Sequence, residues 1–112
     1  AQADNDVRSL PGKASRLVYR TEPAAIVLGQ PFRLLARLCP NGAAPGVEAR
    51  LNVDATMPEH RHGMNYAPRL AQRENGLVAD GLLFHMAGRW QLVVEARQGE
   101  VVERFTDDIV LR

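Results

Sequence analysis

The feature that most constrains this chain is the alternation of apolar and polar side chains over residues 47–57. Val47, Ala49, Leu51, Val53, Ala55 and Met57 share one parity, and Glu48, Arg50, Asn52 and Asp54 the other. Successive side chains on a strand point to opposite faces, so this stretch predicts a strand buried on one face and wet on the other. The same period returns in residues 32–39 (Phe32, Leu34, Ala36, Leu38) and 89–97 (Trp90, Leu92, Val94, Ala96). It returns once more in residues 100–111, with Val101, Phe105, Ile109 and Leu111 on one face. Shorter strand-like runs cover residues 15–21, 24–28, 69–73 and 77–84. No stretch shows a convincing helical period.

Turn chemistry separates these runs. Pro40-Asn41-Gly42-Ala43-Ala44-Pro45-Gly46 reads as a loop. Glu74-Asn75-Gly76 reads as a hairpin, because Asn and Gly both accept positive φ, and Gln98-Gly99 reads as a tight turn. About seven short strands with turn signals every ~8–12 residues predict an all-β fold, an immunoglobulin-like antiparallel β-sandwich, with a small closed barrel as the alternative. A length of 112 residues suits one domain. Residues 1–14 are polar, contain Pro11-Gly12 and read as a flexible N-terminal arm; residues 15–112 form the single domain.

Charge excludes some partners. The net charge is +1, and aromatic residues make up 5% of the chain, so the basic patch and stacking platforms that bind nucleic acid are not in evidence. No apolar run approaches the ~20 residues of a membrane helix. The single Cys39 rules out an internal disulfide and reads as a packed thiol after an apolar strand. The start Ala1-Gln2-Ala3-Asp4 resembles the mature end left by leader removal, so the expected location is the periplasm or another exported compartment, with no signal or anchor segment in this chain.

All three histidines and all three methionines fall in two short segments. One is Met57-Pro58-Glu59-His60-Arg61-His62-Gly63-Met64, the other His85-Met86. Imidazole and thioether are uncharged ligands for borderline and soft metals, and a mixed set favours copper, Cu(I) above all. In the sandwich order, residues 47–57 form strand C and residues 89–97 strand F, antiparallel neighbours in one sheet. The end of C then lies beside the start of F, which puts both segments at one end of one sheet. His60 and His62, one residue apart, project the same way if extended, and Gly63 permits a sharp return that brings Met64 back. The candidate metal ligands are therefore His60, His62, His85, Met64, Met86 and Met57. Met57 also continues the apolar face of its strand and reads equally well as core. Met86 could cap the sandwich end, and His85 between Phe84 and Met86 could be a hydrogen-bonded structural residue. A zinc site from His60, His62 and His85 with Glu59 is the less favoured alternative. Trp90 reads as a core anchor, and Tyr66 as a possible cover for the site.

Residues 57–66 (MPEHRHGMNY), followed by residues 81–90 (GLLFHMAGRW), resemble the YtkA-like domain family and the related domain of FixH-type proteins. Those domains carry a similar MPxHxHGM-type segment and a later GxxFxMxGxW segment at similar spacing. The resemblance spans roughly residues 15–112. It implies an exported bacterial immunoglobulin-like domain found near respiratory-oxidase assembly and metal-handling systems. The matching positions are Met57, His60, His62, Met64, His85 and Met86.

The functional expectation is a periplasmic copper-binding protein, a copper chaperone or copper-handling accessory. Its partners would be a copper ion and a membrane-bound oxidase or metal transporter, with a homodimer bridged by one metal as a further option. The alternative is a metal-independent interaction module that assists assembly of a membrane or respiratory complex. An enzyme is not expected. Ser9 and Ser15 lie away from the histidines, and Asp107-Asp108, adjacent on the last strand, face opposite ways and read as solvated or turn residues.

Overall fold

Alternation and turns give two antiparallel sheets face to face. The computed structural model describes residues 7–13, 15–40, 49–73 and 76–112, without the side chains of Pro40 and His62. Residues 41–46 of the expected loop, Val47 and Glu48 of the alternating run, and Glu74-Asn75 of the hairpin lie outside the described residues. The strands are β1 (Arg8–Pro11), β2 (Ser15–Glu22), β3 (Phe32–Pro40), β4 (Arg50–Met57), β5 (His62–Gly63), β6 (Arg69–Arg73), β7 (Gly76–Leu82), β8 (Gly88–Gln98) and β9 (Val101–Leu111). One sheet has the order β1-β2-β3-β7-β6, the other β5-β4-β8-β9. The result is a sandwich of immunoglobulin-like plan and not a closed barrel. Among the described residues there is no helix, and so none that is long and apolar enough to cross a membrane.

The alternating faces become the core. Leu51, Val53, Ala55 and Met57 of β4 meet Trp90, Leu92, Val94 and Ala96 of β8 and Leu34, Ala36 and Leu38 of β3, all buried. Asn52 and Asp54 stay exposed on the outer face. The hairpin β6–β7 pairs Arg73 with Gly76, so Gly76 opens β7, one residue before the strand start that the Asn-Gly pair suggested. The last turn shifts the other way. Gln98 pairs with Val101, leaving Gly99-Glu100 as the turn, with Gly99 at φ +61°. Positive φ at the first central position fits a type II′ hairpin, where glycine carries no steric cost.

Two expectations are corrected. The N-terminal arm is not wholly loose, because Arg8–Pro11 is a strand paired antiparallel to β2, from Arg8 opposite Tyr19 to Pro11 opposite Arg16. Its mixed composition hid it, since a four-residue edge strand buries only Leu10 partly. Residues 24–28 form no strand; β2 ends at Glu22, before Pro23, which has no N–H to donate to a ladder, and Val27 and Leu28 are exposed. Against the about seven strands expected, the described residues form nine, the additions being β1 and the two-residue β5.

Asp107 is also not a solvated residue. On β9, Glu103, Phe105, Asp107 and Ile109 face inward. Asp107 Oδ2 accepts the hydroxyl of buried Tyr19 at 2.5 Å and pairs with Arg8 Nε at 3.1 Å. Glu103 accepts the hydroxyl of fully buried Ser15 and, at 2.7 Å, the backbone N–H of Lys13. These carboxylates close one open side of the sandwich by tying β9 to β1 and β2. A side-chain amide closes the opposite side. Gln72 of β6 donates from Nε2 to Leu51 O at 2.8 Å and accepts from Leu51 N–H at 3.2 Å. It thereby imitates a neighbouring strand on the free edge of β4.

Candidate functional site

β4 and β8 are antiparallel neighbours, with Arg50 opposite Arg97 and Thr56 opposite Gln91. The first His/Met segment begins at the last residue of β4, and the second ends two residues before β8. Both therefore lie at one end of the four-stranded sheet. An ion pair links them across that end: Glu59, on the loop after β4, lies 3.6 Å from Arg89, which also contacts Asp108 at 3.3 Å.

The first segment does not run extended. The backbone N–H of His60 donates to Met57 O at 3.1 Å, closing a turn over residues 57–60. The chain then reverses at Arg61, whose φ of 55° is left-handed, a conformation L side chains rarely adopt. The return expected at Gly63 thus happens two residues earlier, and Gly63 sits in β5. The register of β5 puts His62 opposite Met57 and Gly63 opposite Thr56. His60 and His62 are consequently not an extended i, i+2 pair. His60 is an exposed turn residue, and the His62 side chain lies outside the described residues.

The methionines divide. Met57 is fully buried, and its Cε lies 2.7 Å from where a Cβ on Gly88 would be. It fills the core against a glycine whose φ of +131° no ordinary side chain favours. Met64 and Met86 are partly buried and pack on the rim of the same core. Tyr66 is 68% exposed, which is not the position of a cover.

His85 is held most firmly. The Phe84 ring stacks on Trp90 with centroids 4.4 Å apart, and the His85 ring meets Trp90 edge-on at 5.6 Å. Trp90, fully buried as expected of an anchor, donates its Nε1–H to Met86 O at 3.0 Å. These contacts fix the backbone of residues 84–86. Nδ1 of His85 is buried without a hydrogen-bond partner among the described residues. A buried polar atom left in this way costs ~1–3 kcal/mol unless a ligand satisfies it. Among the described residues, Nδ1 thus lacks the hydrogen bond that a structural histidine between apolar residues would make.

Among the described residues, no three His, Cys, Asp or Glu side chains converge closely enough to hold a metal. Thioethers are the remaining neutral donors at this end of the sheet. Cys39 is a free, half-buried thiol on β3, in the other sheet.

No protein-family model matches the chain, and no curated protein matches it. Among solved structures, the chain is similar to a DUF4426 family protein from Pseudomonas aeruginosa PAO1. The TM-score is 0.63 at 9% identity, covering 96% of this chain and 95% of that one. A likeness at that identity is one of fold alone.

Proposed function

We propose that this chain is an exported copper-binding module, a carrier or accessory in copper handling, and not an enzyme. Its ligands would come from His60, His62 and Met64 on the first segment and from His85 and Met86 on the second. The observation that carries this reading is the buried, unpartnered Nδ1 of His85, at the sheet end where the first segment also lies. A coordinated ion would satisfy that nitrogen, and rim thioethers beside imidazole form a soft donor set that suits Cu(I) better than zinc. Glu59, the carboxylate a zinc site would recruit, is engaged with Arg89. Met57 takes no part, because its sulfur belongs to the core. The resemblance of residues 57–66 and 81–90 to YtkA-like and FixH-type domains supports the same reading and suggests an oxidase or transporter as the recipient.

Titration with Cu(I) and Cu(II), read by competition with a chromophoric chelator and by Trp90 fluorescence, tests the proposal. Replacing His60, His62 and His85 with Ala together should weaken Cu(I) binding by more than ~100-fold, beyond what losing a merely supporting contact costs. Equal, weak binding by both proteins would refute it. Copper-independent capture of a membrane complex, persisting with chelator present, would favour the interaction-module reading instead.

A further inference from the structure

We infer that two copies of this chain associate through β9, pairing antiparallel about a two-fold axis at Thr106 to make one continuous eight-stranded sheet. β9 is an eleven-residue edge strand, and among the described residues no strand of its own chain lies on its outer side. The two-residue turn at Gly99-Glu100 makes Gln98–Val101 the hydrogen-bonded pair of the β8–β9 hairpin. Alternation then turns the backbone groups of odd-numbered residues toward β8. It leaves those of Val102, Arg104, Thr106, Asp108 and Val110 facing outward, ready for a second strand. Long edges of this kind pair with other chains unless something blunts them. The inward carboxylates Glu103 and Asp107 do not, because both are already engaged by Ser15, Lys13, Tyr19 and Arg8.

The register follows from complementarity. Placing Thr106 opposite Thr106 puts Arg104 opposite Asp108 and Val102 opposite Val110, twice over. Cross-strand pairs of opposite charge and of β-branched residues are the ones that stabilise a sheet. A shift of one residue pair in either direction puts Arg104 opposite Thr106 or Val110 and loses both matches. The outer-face valines are 47% and 59% exposed in the single chain. On the inner face the same register puts Val101, itself 56% exposed, beside Leu111 of the other copy. Leu111 borders an open groove of about 250 Å³ with Ala24, Ala25, Ile26, Ile109 and Arg8. The exposed valine of each copy therefore meets Leu111 at the rim of the other copy's groove, whose lining mixes these apolar side chains with Tyr19, Arg20 and Thr21.

The inference is independent of copper. Leu111 pairs with Gly88, so the His/Met segments lie at the C-terminal end of β9. Leu111 of one copy sits opposite Val101 of the other, and ten residues at ~3.4 Å each hold the two copies of Leu111 ~34 Å apart. This dimer would carry its two sites separately and is incompatible with one metal bridging both.

The test is sedimentation equilibrium of the full chain with chelator present, beside disulfide trapping in a Cys39→Ser background. Wild type should dimerise. Thr106→Pro, which removes an outward N–H and leaves the β8 ladder intact, should abolish the dimer. Arg104→Asp should weaken it about tenfold, since the axis repeats each like-charge contact. Thr106→Cys should cross-link to a covalent dimer on mild oxidation, because hydrogen-bonded partners lie ~5.5 Å apart between Cα atoms, within disulfide reach. Arg104→Cys should not cross-link. A monomeric wild type, a dimer that survives both Thr106→Pro and Arg104→Asp, or cross-linking at position 104 but not 106 would overturn the inference.

Discussion

At the residue scale, two backbone positions carry more consequence than their exposure suggests. Arg61 is held left-handed at φ 55° in the turn that brings His62 back beside β4. Such a conformation costs L residues ~1–2 kcal/mol, most for β-branched ones. Arg61→Val should therefore lower stability by about 1–2 kcal/mol in urea unfolding, and Arg61→Gly should not lower it. Tyr19 makes the second case. Burial first, and the hydrogen bond to Asp107 second, push its phenol well above the usual tyrosine range. A group with a raised folded pKa contributes stability that is complete below its unfolded value and is lost as pH rises through the folded one. Wild type should thus lose stability as pH climbs beyond ~10, while Tyr19→Phe, less stable at neutral pH, should lose less over that window. Parallel pH–stability curves for the two proteins would contradict this. Tyr19 also shows what a single sequence withholds. Its alternation marks it as inward, but nothing local says that Asp107, far along the chain, supplies the acceptor.

At the scale of elements, strands with a full apolar face were legible and those without were not. β3, β4 and β8 announced themselves because Leu, Val, Ala and aromatic side chains recur at every second position. β1 did not, since it buries only part of Leu10 and owes its existence to pairing with β2. Residues 24–28 misled for the opposite reason: they are apolar, but β2 ends at Glu22, before Pro23, and Val27 and Leu28 are exposed. The pairing of β4 with β8 followed from the sandwich plan, and it is what puts the two His/Met segments at one end. The course of the first segment within that end was not legible, because a left-handed Arg61 is invisible to residue-type rules that reserve such a turn for Gly63. Edge protection was equally hidden. Gln72 satisfies both backbone groups of Leu51 from the opposite sheet. Gln72→Ala should speed hydrogen exchange at the Leu51 amide and lower stability by about 1 kcal/mol, with the β4–β8 ladder unaffected.

At the scale of the whole molecule, ligand binding and folding are linked. An ion that binds the folded chain and not the unfolded one raises stability with the logarithm of its concentration. The proposed copper site therefore predicts a melting temperature that rises with Cu(I) in wild type and stays fixed in the variant lacking all three histidines. Coordination needs neutral imidazole, so acid should shrink the copper-induced increment. An increment that persists unchanged in acid would assign the binding to thioethers alone.

The aromatic stack behind His85 has a mechanical corollary. Phe84, Trp90 and the indole bond to Met86 weld the second segment to the core. The first segment hangs from the two residue pairs of β5, a turn and the Glu59–Arg89 ion pair. A guest taken between them, as proposed, would meet an anvil on one side and a more lightly tethered jaw on the other. Its escape would then be timed by the opening of residues 58–64, and loosening the Glu59–Arg89 latch would shorten its dwell without altering the anvil.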